Sequence, residues 1–339
     1  MKARWVLFGA AIAVAAALGL GGCAEPTSTP SGSFLVTGYA ESDATSAAQV
    51  AASASALTQV GIDGVNLTPN GSGVSKPNAG ALQLLAQAHS RHLKASLLFG
   101  NYSDAIGDFS DPLAEKMFDS SANIHTVVAA LAREVKSGGW DGVTVDLESL
   151  NGFGEPGHLR DDNAGLVRFV TALRGALGSR TLAICVSATT GSYADLGYDL
   201  PQISRQVNDV VLMAYDQHGP QWSKAGPVGG FPWVKQTAAG LMKSVPATKV
   251  QLGIAEYGYS WPKHGTGTNY SDAGIRALVK RNGATPVWSS SQLEWHAAFA
   301  NGEQVWWSDA RSYRARLALA HTLGLAGVAV WSLGDGDPL

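Results

Sequence analysis

Apolar residues fall into two rhythms along this chain. Eight short runs are nearly continuous in apolar, often β-branched residues: 34–40 (FLVTGYA), 62–68 (IDGVNLT), 94–100 (KASLLFG), 141–147 (DGVTVDL), 181–187 (TLAICVS), 208–214 (NDVVLMA), 250–256 (VQLGIAE) and 327–333 (GVAVWSL). Between them, stretches such as 123–137 and 164–177 repeat apolar residues at i, i+3, i+4 and i+7, the signature of an amphipathic helix. Short buried strands alternating with helices over roughly 300 residues predict an α/β fold, a single (β/α)8 TIM barrel. An open, doubly wound sheet is the alternative such alternation permits.

Three segments share one form: Gly61-Ile-Asp-Gly-Val65, Gly139-Trp-Asp-Gly-Val143 and Gly324-Leu-Ala-Gly-Val328. Each reads as a helix ending at a glycine and a barrel strand beginning just after. Strand side chains alternate, so Val143, Val145 and Leu147 face the outer helices while Gly142, Thr144, Asp146 and Glu148 line the interior. Asp146 and Glu148 then stand at the carboxyl end of their strand, where barrel active sites sit. In the same register Trp331 comes level with Asp146 and also points inward. Like charges held together raise each other's pKa, and a carboxyl kept protonated near neutral pH can act as a general acid. Solvated loop carboxylates are the bland alternative.

About 70 residues separate the seventh and eighth strands, too many for one crossover helix. SDAGIRALVKR (271–281) reads as a short helix, and 285–291, 294–300 and 303–309 as extended pieces. A small α+β insertion at about 263–308 is expected there. It holds Trp288, Trp295, Trp306 and Trp307, residues suited both to packing and to stacking on a ligand ring.

The N-terminus changes the picture of where the chain works. Lys2 and Arg4 precede a 15-residue apolar run, Val6 to Leu20, short for a membrane span but suited to a secretory leader. Leu20-Gly21-Gly22-Cys23 looks like a bacterial lipobox, with residues 1–22 removed and a lipid on Cys23. An uncleaved anchor helix is the alternative. Residues 23–33 are rich in Pro, Ser and Thr and read as a flexible tether before the barrel at 34–339. Export and a lipid anchor at the cell membrane are therefore expected.

Without Lys2 and Arg4, 22 basic residues face 27 acidic ones, a charge of −5, which argues against nucleic acid as a partner. Cys185 would be left without an intrachain disulfide partner and reads as a buried structural thiol. The eight His are scattered, and no Cys/His cluster has metal-ligand spacing; no metal is expected.

DGVTVDLE (141–148) resembles the DGxDxDxE signature of glycoside hydrolase family 18, the chitinase-like barrels. LMAYDQHG (212–219), LGIAEYGYSW (252–261) and VWSLGDGD (330–337) resemble the family's sixth-, seventh- and eighth-strand segments in order. The YD-x-H, YGY-x-W, Asp309-Ala-Arg-Ser312 and W-x-LG elements are similar to the compact bacterial branch that includes spore-cortex-lytic N-acetylglucosaminidases. The resemblance spans residues 34–337. It implies a retaining glycosidase in which the substrate's own 2-acetamido oxygen attacks, so that no enzyme nucleophile and no cofactor is needed. Glu148 would be the general acid, Asp146 would orient the acetamide and Tyr215 would donate a hydrogen bond to it. Trp331 would floor the sugar site, with Tyr39, Met213, Asp216 and Tyr257 as further substrate-binding positions.

The expected substrate is a GlcNAc-containing glycan of the cell envelope, peptidoglycan above all, with chitin-type oligosaccharides as the alternative. A monomer is expected. Two positions depart from the family pattern. Thr144 replaces its first inner Asp, and Ala255-Glu256 replaces Pro and an apolar residue. Glu256 reads as a sugar contact or a rim carboxylate, and His218 as a structural histidine. Loss of the Asp at Thr144 leaves room for a rival, a glycan-binding barrel without activity.

Overall fold

The computed structural model describes residues 33–152 and 162–339. The expected leader, Cys23 and nearly all of the tether lie outside them. In chain order the strands begin with β1 (Leu35–Glu41), β2 (Gln59–Asn66) and β3 (Lys94–Gly100), then a small hairpin of β4 (Tyr102–Ser103) and β5 (Asp108–Phe109). β6 (Gly142–Asp146), β7 (Thr181–Ser187), β8 (Asp209–Met213) and β9 (Val250–Ala255) follow. Five short strands come next: β10 (Tyr257–Trp261), β11 (Asn269–Ser271), β12 (Val287–Ser289), β13 (Glu294–Ala298) and β14 (Gln304–Trp307). The last is β15 (Gly327–Trp331).

The helices are α1 (Ala47–Ser53), α2 (Ala79–Ser90), α3 (Asp111–Phe118), α4 (Ser121–Gly138) and α5 (Asn163–Leu177), then α6 (Leu200–Ile203), α7 (Phe231–Leu241), α8 (Asp272–Arg281) and α9 (Ala310–Thr322). None of the described helices is long and apolar enough to cross a membrane.

β1, β15, β9, β8, β7, β6, β3 and β2 pair in that order into a closed parallel barrel. The ring is sealed where Leu35 to Gly38 of β1 run beside Gly327 to Val330 of β15. That seam excludes the open sheet and leaves no edge strand in the barrel. Val143, Val145 and Leu147 belong to the apolar layer between strands and helices, together with Phe169 of α5 and Val127 and Leu131 of α4. The inside holds a separate, smaller cluster of Leu98, Cys185, Val211 and Ala329 beneath Tyr39 and Met213.

Two of the three echoed glycines end helices as expected. Gly139 caps α4 at φ 85° and Gly324 follows α9 at φ 64°, the left-handed region that glycine enters without a Cβ clash. Gly61 does not. It lies within β2, level with Ser96 of β3 and packed against the Tyr39 ring, where a Cβ would stand 2.3 Å from Cε1. The seven-residue α1 ends early, so β2 starts at Gln59 rather than 62, and Asp63 is carried to the upper inside of the barrel.

The insertion is a five-stranded sheet, ordered β11-β10-β14-β13-β12, with α8 on one face. It begins at Tyr257, ahead of the expected 263. The apolar run 252–261 hides a change of partner. Up to Ala255 it pairs in parallel with β8 and β15, and beyond Glu256 it pairs antiparallel with β11 and β14.

A buried ion pair fastens this sheet to the barrel. Arg316 of α9 and Glu294 of β13 are both buried, with Nη2 donating to Oε1 at 2.8 Å. Arg316 also donates to the carbonyls of Leu293 (3.2 Å) and Gly229, while Glu294 accepts from Val228 N (2.7 Å) and Gly229 N (2.8 Å). One pair thus ties α9, the insertion sheet and the loop after β8 at a single point. Removing one partner of such a pair strands a buried charge, a loss of about 3–5 kcal/mol. Arg316→Leu should lower the unfolding free energy by about that amount, measured by urea denaturation. A loss within ~0.5 kcal/mol would show that the junction is held elsewhere.

Candidate active site

The barrel interior is layered. At its lower end Gln59 Nε2 donates to Thr37 Oγ1 (2.7 Å), Thr37 donates to Gln251 Oε1 (2.6 Å), and the hydroxyls of Ser96 and Thr144 pair at 3.1 Å. Thr144 is therefore engaged below. Above this belt comes the apolar layer, and above that the carboxyl-terminal ends of the strands open into a cavity of about 770 Å³. Asp146, Glu148, Tyr39, Met213, Tyr215, Asp216 and Trp331 all line it. Strand alternation and a common register bring these positions, up to 292 residues apart in sequence, to one mouth.

Asp146 is the last residue of β6 and is 4% exposed. Burial, and then the neighbouring Asp63, push its carboxyl up to about 7. The Cys185 thiol, at the neighbouring inner position of β7, opposes that shift, while Oδ1 has no hydrogen-bond partner. Glu148 stands two residues on, half-buried in the cavity wall. Burial raises its pKa well above the carboxylate range, with Asp146, Asp216 and Asp108 adding to the effect. Ser187 counters through a hydrogen bond. This environment favours the protonated form of Glu148.

The seat of Glu148 is fixed through its backbone. The buried Asn101, just past β3, accepts from Glu148 N and donates to Glu148 O, both at 2.9 Å. Tyr198 donates to the carbonyl of Leu147 at 3.0 Å. The chain then turns through Ser149 at φ 58°.

Trp331 faces inward, its ring 5.7 Å from that of Tyr39, and a cis peptide bond joins it to Ser332. Asp216 sits at the rim with φ 57° and accepts from the hydroxyls of Tyr257 (2.6 Å) and Tyr259 (2.8 Å). Tyr257 does not line the cavity. It is buried behind Tyr215, ring to ring at 6.4 Å, and buttresses Asp216. His218 is satisfied within its loop, Nδ1 lying 3.2 Å from Ser223 Oγ.

Cys185, Ser187, Tyr198, Trp222 and Trp233 are among the other lining residues and were not singled out as site residues in the sequence. The signal for the first two was present: in TLAICVS, positions 183, 185 and 187 share the inner face. Tyr198 and the tryptophans come from loops and a helix start, where no periodicity points.

The insertion tryptophans divide between two faces. Trp295 stacks on Trp307 (6.1 Å) over the α8 side, and Arg311 lies 4.0 Å above Trp288. Trp306 is on the other face, stacked on His296 at 4.5 Å and paired across strands with Tyr259. None of the four lines the cavity.

Glu256 lies outside the cavity too. It is buried where β9 gives way to β10, against Gly336 and near Asp272. Burial, with Asp272 and Asp337 adding, raises Glu256 to about 9; burial raises Asp272 to about 8 despite the opposing Arg276. Among the described residues one carboxylate trio, Asp111, Glu115 and Asp162, has ligand-competent atoms within 4.8 Å of one another. It sits at the starts of α3 and α5, and none of its members lines the cavity.

The profile of the family described as Glycosyl hydrolases family 18 matches residues 35–337. An uncharacterized glycosylase of Bacillus subtilis, YvbX, is 26% identical over 263 residues, 74% of each chain. The cortical fragment-lytic enzyme of the same organism is 28% identical over 172 residues, 47% of this chain and 39% of that one. The crystal structure of a chitinase from Chromobacterium violaceum superposes with a TM-score of 0.79 at 25% identity, covering 90% of this chain and 96% of that one. The chain belongs to glycoside hydrolase family 18.

Glu256 and Asp272 give the fold a pH dependence of definite sign. Both hold their protons in the folded state at pH values where the unfolded chain, near 4.5 and 3.8, has released them. Stability is fully present below those unfolded values and is lost as pH rises towards the folded ones. The midpoint of thermal unfolding should therefore fall between pH 5.5 and pH 8.5, and Glu256→Gln should flatten that fall. An equally steep fall in the variant would remove Glu256 as its source.

Proposed function

We propose that the protein is a retaining, substrate-assisted glycosidase that cleaves β-linkages after GlcNAc in peptidoglycan or a related envelope glycan. The observation that carries this reading is the meeting of Glu148, whose surroundings favour its protonated form, a buried Asp146, Tyr215 and the Trp331 indole in one cavity.

Glu148 gives its proton to the glycosidic oxygen as the bond to the anomeric carbon breaks. The acetamido oxygen attacks that carbon from the opposite side and closes an oxazolinium ring. Asp146, ionised, accepts from the acetamide N–H and stabilises the positive charge; its partnerless Oδ1 is the atom available for that contact. Tyr215 donates to the acetamide oxygen. Water then opens the ring, Glu148 takes back a proton from it, and the configuration is retained.

Trp331 and Tyr39 present apolar faces to the sugar. Asp216, held by two tyrosine hydroxyls, and Met213 shape the same site. The LGGC tetrapeptide supports a lipid on Cys23, which would tether the enzyme to the membrane within reach of the cell wall. That location favours peptidoglycan over chitin.

Glu148→Gln should keep the fold and lose at least ~100-fold in kcat, the usual scale for a general acid. Undiminished turnover would remove Glu148 from that role. The parent chain should release products with GlcNAc reducing ends from purified peptidoglycan, read by mass spectrometry, and should leave a plain glucoside intact. Cleavage of N-acetylchitooligosaccharides alone would keep the chemistry and change the substrate to chitin. Efficient turnover of the glucoside would rule out acetamide participation.

A further inference from the structure

Asp146 poses a problem of hydrogen bonding. Where the family pattern has an inner Asp two residues earlier, this chain has Thr144, and its hydroxyl is paired downwards with Ser96 at 3.1 Å. A carboxylate 4% exposed, facing Asp63 and Glu148, needs a donor from somewhere. β7 runs beside β6, and its inner face brings Cys185 level with Asp146, both lining the cavity. The thiol is buried and lies 3.6 Å from the Tyr39 hydroxyl on its other side. Tyr39 in turn contacts Trp331 at 5.7 Å.

We propose that Cys185 is the positioning residue of this active site: its S–H group holds one oxygen of Asp146 from the β7 side, with Tyr39 fixing the sulfur, so that the other oxygen faces the substrate acetamide. The inference rests on the glycosidase reading above and gives Cys185 a part in that chemistry without any covalent step. The thiol acts as a donor because burial and the surrounding carboxylates keep it protonated.

The titratable groups facing Asp146 are Asp63 from β2, Tyr39 from β1, Cys185 from β7, Glu148 from the loop after β6, Tyr215 after β8 and Tyr198 before α6. No cation is among them. The thiol is thus what favours the ionised form of Asp146 against burial and against Asp63. A thiol is a weak donor. It leaves Asp146 close to its titration point near neutrality, where a second carboxyl or an arginine would have fixed its state.

The sign of the effect follows. Removing the donor raises the pKa of Asp146, so activity that needs its ionised form is lost at a higher pH on the acid side. On a GlcNAc-terminated chromogenic substrate, Cys185→Ala should lower kcat by about tenfold with KM changed less than twofold, the scale of one lost hydrogen bond from a weak donor to a carboxylate. Its acid limb should move up by about half a unit or more. Cys185→Ser, which keeps a donor, should move that limb less.

Two results overturn the proposal. One is a Cys185→Ala profile superimposable on the parent's. The other is equal displacement by both variants with equal loss of thermal stability, which would make the residue packing alone. A second measurement needs no turnover. In the infrared difference spectrum between the parent and Asp146→Asn, the S–H stretch of Cys185 should shift to higher frequency as its acceptor weakens. An unmoved band means that no such bond exists, whatever the enzyme cleaves. A moved band in a chain that cleaves no GlcNAc substrate would keep the hydrogen bond and remove the glycosidase reading.

Discussion

The parallel seam between β1 and β15 is the interaction on which everything else in this protein depends. Before it forms, the inner residues of the eight strands share no common space. Once Leu35 to Gly38 run beside Gly327 to Val330, alternation obliges every second side chain to enter one narrow cylinder. The lower part of that cylinder is filled by hydroxyls and amides that satisfy one another and the middle by apolar groups. What remains is the upper end. There Asp63, Asp146 and Glu148 are crowded into a site that the packing below gives no room to avoid.

Crowding of acids, with a single cation against them, is repeated at the edge of the insertion. Around Glu256, the carboxyls of Asp272, Asp309 and Asp337 act together and Arg276 alone opposes them. The contrast with Glu294 is instructive. That residue is equally buried, but Arg316 and two backbone N–H groups meet it. One buried acid is therefore a structural fastener and the other a proton store. The difference lies in which partners the fold brings, since Glu294 begins β13 and Glu256 joins β9 to β10 in the same region.

Much of the barrel was legible because its signals are local. Gly139 and Gly324 end helices by a backbone property that only glycine supplies cheaply, and the inner face of β6 follows from counting by two. Gly61 misled because its sequence context copies theirs while the preceding helix is shorter, and the error concealed Asp63. The start of the insertion was hidden for another reason. Residues 252–261 stay apolar while their partners change from parallel barrel strands to an antiparallel sheet, and partner identity leaves no mark on periodicity. Of the candidate site residues, the strand-borne ones could be aligned from sequence. Tyr257 could not be placed behind Asp216, nor Tyr198 and Trp222 beside the cavity, because loops carry no register. Cys185 had the right parity and was read only as core.

Asn101 holds Glu148 by its main chain, accepting from one peptide group and donating to the other, and makes no demand on the side chain. The perch and its occupant are thus separately inherited. One base change in the codon at 148 can exchange the carboxylic acid while the turn and the aromatic floor keep their places. A lineage carrying this scaffold could pass from cutting a glycan to merely reading it, and back again, without crossing a valley of unfolded intermediates.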